Sequence, residues 1–374
     1  MSRFYIELHA LQTVPSSNIN RDDSGSPKTA FYGGVQRARV SSQAWKRSIR
    51  TAMADSIDPA RLSMRTARVV QVVRDQVLEL APNTDAKAAA SMAEEVLKAA
   101  GLKVKAPKRA SATLPENGYL LFLSRAQARR LAEIALAGDL ATKEAKDAAK
   151  AALATDQGVD IALFGRMVAD DKSLSVEASC QVAHAISVDA VTPEFDYYTA
   201  VDDLSEDNES GAGMIGTIEF NSSTLYRYAN LNVEALEATL GDRSVTARAT
   251  GAFIEAFVRS MPTGKQNSFA NRTLPDAVVV MIRETQPINL VQAFERPVRA
   301  QEGKGVVEAA CAALAVEAGE TARSYGEQPV RTFVVRKGER TAALSELGED
   351  TDLETLVTTV EGLVSTMLGK STDE

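Results

Sequence analysis

The segment Arg37-Ala38-Arg39-Val40-Ser41-Ser42-Gln43-Ala44-Trp45-Lys46-Arg47-Ser48-Ile49-Arg50-Thr51-Ala52-Met53 reads as a short strand running directly into a helix. Arg37 to Val40 is extended, and Ser41-Ser42 supplies the hydroxyl that caps a helix N-terminus. At about 100° per residue, Trp45, Ile49, Ala52 and Met53 share one face. Gln43, Lys46, Arg47 and Arg50 share the opposite one. One side packs; the other presents an amide and three cations. Lys46 and Arg47 lie near the positive end of the helix dipole, where acids are favoured over bases. A bound phosphate reverses that sign, because free backbone N–H groups and cations then act on it together. Arg37 and Arg39 on the strand extend the basic surface. A solvated amphipathic helix is the alternative reading.

Working outward, Phe4 to Leu11 alternates as a strand and leads into a long polar loop, Pro15 to Lys28. The helix that opens at Ser41-Ser42 is expected to run to about Ser56. From about 60 to 155 the chain is Ala-rich, with helical periodicity at 65–80, 86–100, 124–137 and 142–154. Strand-like stretches follow at 159–164, 177–191, 213–220 and 222–230. Helices are expected at 233–240, 245–260, 306–322 and 352–367, and strands at 277–283 and 331–337. The pattern is a mixed β/α core interrupted by a helical insertion, with an acidic excursion at 193–222. It is compatible with a ferredoxin-like βαββαβ core.

The 374 residues carry a formal charge of −8, with 45% hydrophobic and 25% charged side chains. This balance excludes collagenous, disordered and disulfide-stapled classes. Two distant cysteines, Cys180 and Cys311, point to a reducing compartment. No apolar run reaches the ~18 residues of a membrane helix, and the first residues lack the apolar block of a signal peptide. A cytoplasmic protein is expected. The net charge conceals segregation. Residues 1–50 hold eight bases against three acids, whereas 191–210 and 341–374 each sum to −7. A local patch rather than the overall charge binds phosphate, so an acidic total does not exclude nucleic acid.

Material for catalysis is thin. Gly33-Gly34 is a lone pair, and Gly369-Lys370-Ser371 lacks the first glycine of a P-loop, which falls at Val364. Cys180 and His184 lack partners for a zinc site. His9 and His184 sit in apolar strand patterns and read as core histidines. Asp22-Asp23 and Asp202-Asp203 read as turn residues or anchors for arginines rather than metal ligands. Neither a catalytic residue, a metal site nor a cofactor is expected.

A set of blocks then occurs in order. These are Asn20-Arg21-Asp22-Asp23, Phe31-x-Gly33-Gly34, the Arg37–Arg47 segment, and Gly158-Val159-Asp160-Ile161-Ala162-Leu163-x-Gly165-Arg166-Met167. Ala183-His184-Ala185-Ile186, Thr199-Ala200-Val201-Asp202-Asp203 and Tyr226-Arg227-Tyr228-Ala229-Asn230 follow. Their succession, from residue 2 to about 300, resembles the CasC (Cse4-type) backbone subunits of the type I-E CRISPR surveillance complex, Cascade.

The resemblance implies an α+β hand: a modified RRM or ferredoxin-like palm, an inserted helical fingers domain and a β-hairpin thumb. The matching boundaries are palm at 1–59, 181–192 and 224–374 (the last including the C-terminal region), fingers at 60–180 and thumb at 193–223. It implies a non-enzymatic protein that polymerises head to tail, six copies in the family, along one CRISPR RNA. Each thumb displaces a nucleotide and leaves the other bases free to pair with target DNA. The other Cascade subunits (large, small, 5′-capping and repeat-processing) are implied partners.

For the RNA, the resemblance implies contacts from Arg21, Lys28, Gln43, Lys46, Arg47 and Arg50. Met167 with Arg166 beside it, and Tyr198 and Thr199 at the thumb base, are implied near the displaced nucleotide. Lys143, Lys146 and Lys150 share one helix face and are candidates for target DNA, as are Lys103, Lys105 and Lys108. A solvated face explains the first three equally well. Late backbone contacts fall to Arg296 and Arg299. Two readings compete with the guide-binding scaffold: a repeat-RNA-processing endonuclease using His9 or His184, and a protein-only scaffold.

Overall fold

Strand β1 (Tyr5–Ser17) runs through the middle of the main sheet, and both of its faces are covered. Ile6, Leu8, Ala10 and Val14 point into one apolar core and Leu11 into a second, as the two-residue period of a strand requires. The computed structural model describes residues 4–107, 113–168, 171–200 and 214–370.

After β1 come the hairpin β2 (Thr29–Tyr32) and β3 (Val35–Val40), then helix α1 (Ser42–Ala52). The hairpin turns on Gly33 and Gly34, whose φ angles of 60° and 78° suit a tight turn that side chains disfavour. A Cβ on Gly33 would also lie 1.6 Å from the Glu295 carbonyl oxygen, so that position is closed to any other residue.

A second lobe follows. It holds β4 (Ser63–Thr66), α2 (Val69–Leu80), α3 (Ala86–Ala99), β5 (Val104–Lys105), β6 (Glu116–Asn117), β7 (Leu121–Ser124), α4 (Arg125–Ala137) and α5 (Lys143–Ala154). Its apolar core is its own, with Val73, Val77, Ala93, Leu97, Leu131 and Leu153 fully or almost fully buried. β4 and β7 pair as a small ribbon at its edge.

The chain returns to the main lobe through α6 (Val159–Phe164), β8 (Cys180–Val182) and β9 (Ala185–Ser187). The strand expected at 159–164 is therefore a helix. Its apolar run has no periodicity to distinguish the two, and Gly158 at its start and Gly165 at its end confine it to a short helix. β10 (Glu194–Ala200) then pairs with β11 (Met214–Asn232), which is one 19-residue strand rather than the two expected. Asn221-Ser222-Ser223 reads as a break, but β1 and β11 absorb it by a register shift opposite Val14 and Ser17.

The remaining elements are α7 (Val233–Leu240), α8 (Arg243–Arg259), α9 (Gln266–Phe269), β12 (Ala277–Arg283), α10 (Val306–Tyr325), β13 (Arg331–Arg336), β14 (Glu349–Asp350) and α11 (Leu353–Lys370). The sheet order is β14-β13-β12-β1-β11-β9-β3-β2, with β8 also on β11. The protein is thus a mixed α+β molecule built on one large sheet. Helices α1, α8 and α11 cover one face, and α10 covers the other. Every residue of β12 is buried, as expected of a strand covered on both faces.

The second face also buries a polar group. Glu7 receives the Arg283 guanidinium at 2.7 Å and the Ile288 N–H, and His9 Nδ1 lies 2.9 Å from the Tyr226 hydroxyl. Burial works against the Glu7 carboxylate, but His9, Arg283 and Ile288 together hold its pKa below the usual value. His9 is inside the protein, as its strand pattern implies, which leaves it out of reach of any RNA substrate. No helix of the described residues is long and apolar enough to cross a membrane.

Candidate nucleic-acid interface

α1 is fixed at its start by two side chains. The Ser41 hydroxyl accepts the Ala44 N–H at 3.3 Å, and Asn20 Oδ1 accepts the Ser41 N–H at 2.8 Å. The second contact ties the loop of residues 18–28 to the helix. Trp45, Ile49 and Met53 are buried, so Gln43, Lys46, Arg47 and Arg50 must face outward. All four line a cleft of about 390 Å³, together with Arg65, Leu120, Phe122, Phe164 and Gly165. The cleft lies between α1 and the β4–β7 ribbon, and its lining holds four cations and no carboxylate.

Arg65, Leu120 and Phe122 are the residues the sequence did not disclose. They lie on segments 13 or more positions beyond the end of α1, with no local pattern to link them. Arg65 and Phe122 are directly opposite one another across the ribbon. The guanidinium carbons of Arg50 and Arg65 sit 5.2 and 5.5 Å from the Phe122 ring centre. Arg50 also reaches the buried Asp160 carboxylate at 3.6 Å, which accepts the Ser63 N–H and hydroxyl at 2.9 and 2.6 Å.

At the start of α1 the basic tract continues. The Lys28 N–H donates to the Asn20 carbonyl, and the Arg39 N–H donates to the Lys28 carbonyl, each at 2.9 Å. His184 is exposed in the turn between β8 and β9, which corrects its assignment to the core. Its Nδ1 lies 3.3 Å from Arg39 and 3.4 Å from the Ser42 nitrogen. Burial, then Arg39 and Lys28, lower its pKa. Arg21 is exposed at the loop edge, where it bridges to Pro27.

Several expected positions fall elsewhere. Arg37 does not extend the surface: it is fully buried, and its guanidinium donates to the carbonyls of Tyr32, Ser187, Val188, Phe294 and Glu295. Arg166 is likewise inside, donating to Leu153 at 2.6 Å, to Leu174 at 2.9 Å and to Gln127 at 3.3 Å. Burial lowers its pKa to about 10. Next to it, Met167 is 83% exposed. Alternation puts consecutive strand residues on opposite faces, so Tyr198 and Thr199 part company. The Tyr198 ring covers Gly216 across the hairpin, while Thr199 shares its face with the exposed Phe195, Tyr197 and Ile215.

Lys143, Lys146 and Lys150 are exposed on α5, but Lys150 is paired with Asp171 at 2.8 Å. Lys103 and Lys105 are exposed at the β5 edge, as are Arg296 and Arg299 in a later loop. Lys108, Asp202 and Asp203 lie outside the described residues. Cys180 and Cys311 are buried, which pushes both thiols up to about 12. Among the described residues no three His, Cys, Asp or Glu side chains come together as metal ligands.

A family model described as CT1975-like protein matches residues 6–359. A chain of a solved "CRISPR RNA-guided surveillance complex, pre-nicking" is 33% identical. The match covers 95% of this chain and 100% of that one, with a TM-score of 0.83. A chain of a "CRISPR RNA-guided surveillance complex" is 29% identical over 95% of this chain and 99% of its own length, with a TM-score of 0.72. A comparison with curated protein sequences returns no match. By this family match over most of its length and by its likeness to these complexes, the chain belongs to the CT1975-like family, the non-catalytic CasC-type backbone subunits of type I-E CRISPR surveillance complexes.

Proposed function

We propose that the protein holds the sugar–phosphate chain of a CRISPR RNA along the outer face of α1 and leaves the bases turned away. The observation that carries this reading is the cleft lined by Lys46, Arg47, Arg50 and Arg65 without a carboxylate. A subunit that serves any guide sequence gains from phosphate contacts, which carry no sequence information; base pairing supplies specificity. Arg21, Lys28 and Gln43 extend the track. Met167 and one face of the hairpin, Thr199 or Tyr198, meet the displaced nucleotide. Arg166 serves as the internal brace that projects Met167.

In this reading the main sheet is a modified RRM or ferredoxin-like palm, residues 60–180 are the fingers and 193–223 the thumb. The separate apolar core of the second lobe, built from residues between Val69 and Leu174, supports a distinct fingers domain, while α6 inside that range packs Val159, Ala162 and Leu163 into the main core. Copies associate head to tail on the guide, six per complex, and the large, small, 5′-capping and repeat-processing subunits close the ends and flank. Target DNA pairs with the guide beside Lys143, Lys146, Lys103 and Lys105.

The test is guide retention. Lys46 and Arg47 are the residues to reverse, because Arg50 also holds Asp160. Coexpressed with its companions, the Lys46→Glu/Arg47→Glu variant should emerge folded and without RNA. Full RNA retention would refute the assigned face.

A further inference from the structure

Arg50 and Arg65 come from different lobes, one from α1 and the other from β4, yet both guanidiniums lie over the same ring. Phe122 is the direct cross-strand neighbour of Arg65, and the Asp160 carboxylate joins Ser63, at the head of β4, to Arg50. Two like charges drawn to one aromatic ring repel each other. The ring quadrupole and, for Arg50, the Asp160 carboxylate offset part of that repulsion, and an anion bound between the guanidiniums would offset more. Arginine suits this task, since its planar fork takes two phosphate oxygens at once.

We propose that Arg50 and Arg65, held against Phe122, form a clamp across the two lobes that closes on one phosphate of the guide RNA. The proposal deepens the guide-binding reading and rests on it. Phe122 acts as a positioning residue: it contacts no phosphate and sets where the two guanidiniums point. Continuity with Lys46 and Arg47 in the same cleft favours a nucleic-acid phosphate as occupant. The rival occupant is a carboxylate-rich segment of a second copy.

The experiment titrates the full-length protein with a fluorescein-labelled uridine homopolymer over a series of salt concentrations. Arg65 is exposed, so Arg65→Ala leaves the core intact. It should weaken binding about tenfold and lower the salt slope by about 0.7, the release expected for one single-strand phosphate contact. Lys46→Ala serves as the reference for the underlying reading. Loss with Lys46→Ala but not with Arg65→Ala overturns the clamp and leaves guide binding standing. No loss with either overturns both. If Arg65→Ala leaves RNA binding unchanged but abolishes self-association without RNA, the occupant is protein and the clamp is overturned. Phe122→Leu keeps every charge: weaker binding at an unchanged salt slope, rescued by Phe122→Tyr, supports the positioning role, and wild-type affinity removes it.

Discussion

The Arg227 guanidinium carbon lies 3.7 Å from the centre of the Trp45 ring, with the Phe257 ring 4.4 Å away. This fully buried arginine stands behind the basic helix and seats its packing face on β11. Gln12 accepts from it at 2.7 Å and the Phe257 carbonyl accepts a second bond, but burial still lowers its pKa to about 9.

Truncating that side chain leaves a void and two unpaired acceptors. Arg227→Ala should therefore lose about 3 kcal/mol in urea unfolding. Arg227→Met avoids the void but leaves the same two acceptors unpaired, and should lose about 1–2 kcal/mol. Equal losses would show that the charge itself holds α1.

Glu7 and Arg283 form an ion pair in which both side chains are at most 1% exposed. Glu7→Ala leaves the guanidinium buried and unpaired, and should cost about 3–5 kcal/mol. The folded chain keeps the carboxylate ionised to lower pH than the unfolded chain does, so it binds fewer protons there. The stabilisation is then complete above the ordinary value of 4.5 and drains away as the pH falls below it. Thermal unfolding from pH 7 to pH 3 should show a smaller acid-induced drop in Glu7→Gln than in the wild type.

Neighbouring residues Arg166 and Met167 should separate stability from function. Arg166→Ala removes bonds to carbonyls in two other segments and should lower the melting temperature, at a cost of about 3 kcal/mol. Met167 is 83% exposed in the isolated chain, so Met167→Ala should change stability by no more than about 0.5 kcal/mol. Under the proposed role of Met167, the same change in assembled complexes should alter the chemical reactivity of the displaced guide nucleotide.

On α5, Lys146→Ala should lower the salt slope of target-strand capture, whereas Lys150→Ala should act first on stability. Lys150 is held by Asp171, whose pKa that bond and the Ser173 contacts lower to about 2. Since the folded-state value lies below the ordinary 3.8, the pair stabilises above that pH and is lost on acidification towards pH 2. Asp171→Asn should lower the circular-dichroism melting temperature above about pH 3.8 and flatten its pH dependence between that pH and about 2.

Local pattern carried much of this architecture. The uniformly apolar 277–283 reads as a buried strand and is one, and the two-faced helix after Ser41-Ser42 forms as its spacing requires. Segment 159–164 misleads because a short apolar run has no period to distinguish strand from helix. The basic face of α1 was legible for the same reason that α1 itself was. The opposite wall of the cleft was not: Arg65 and Phe122 meet α1 only through tertiary packing, and a single arginine or phenylalanine carries no signal of its own. Arg37 reads as a surface cation, and Arg166 as a neighbour of the displaced nucleotide, because composition does not reveal a nest of backbone carbonyls. Their burial becomes apparent only when Ser187, Phe294, Leu153 and Leu174 close around them.

β11 has one end paired with β10 in the hairpin and the other locked between β1 and β8. The projecting arm is thus a cantilever rooted in the middle of the molecule, not a flap on a hinge. Load applied along it travels as shear into the main sheet, and its angle to the cleft is inherited from the twist of that sheet. In the head-to-tail row proposed above, a constant pitch then follows from an arm whose angle every copy inherits from the same sheet.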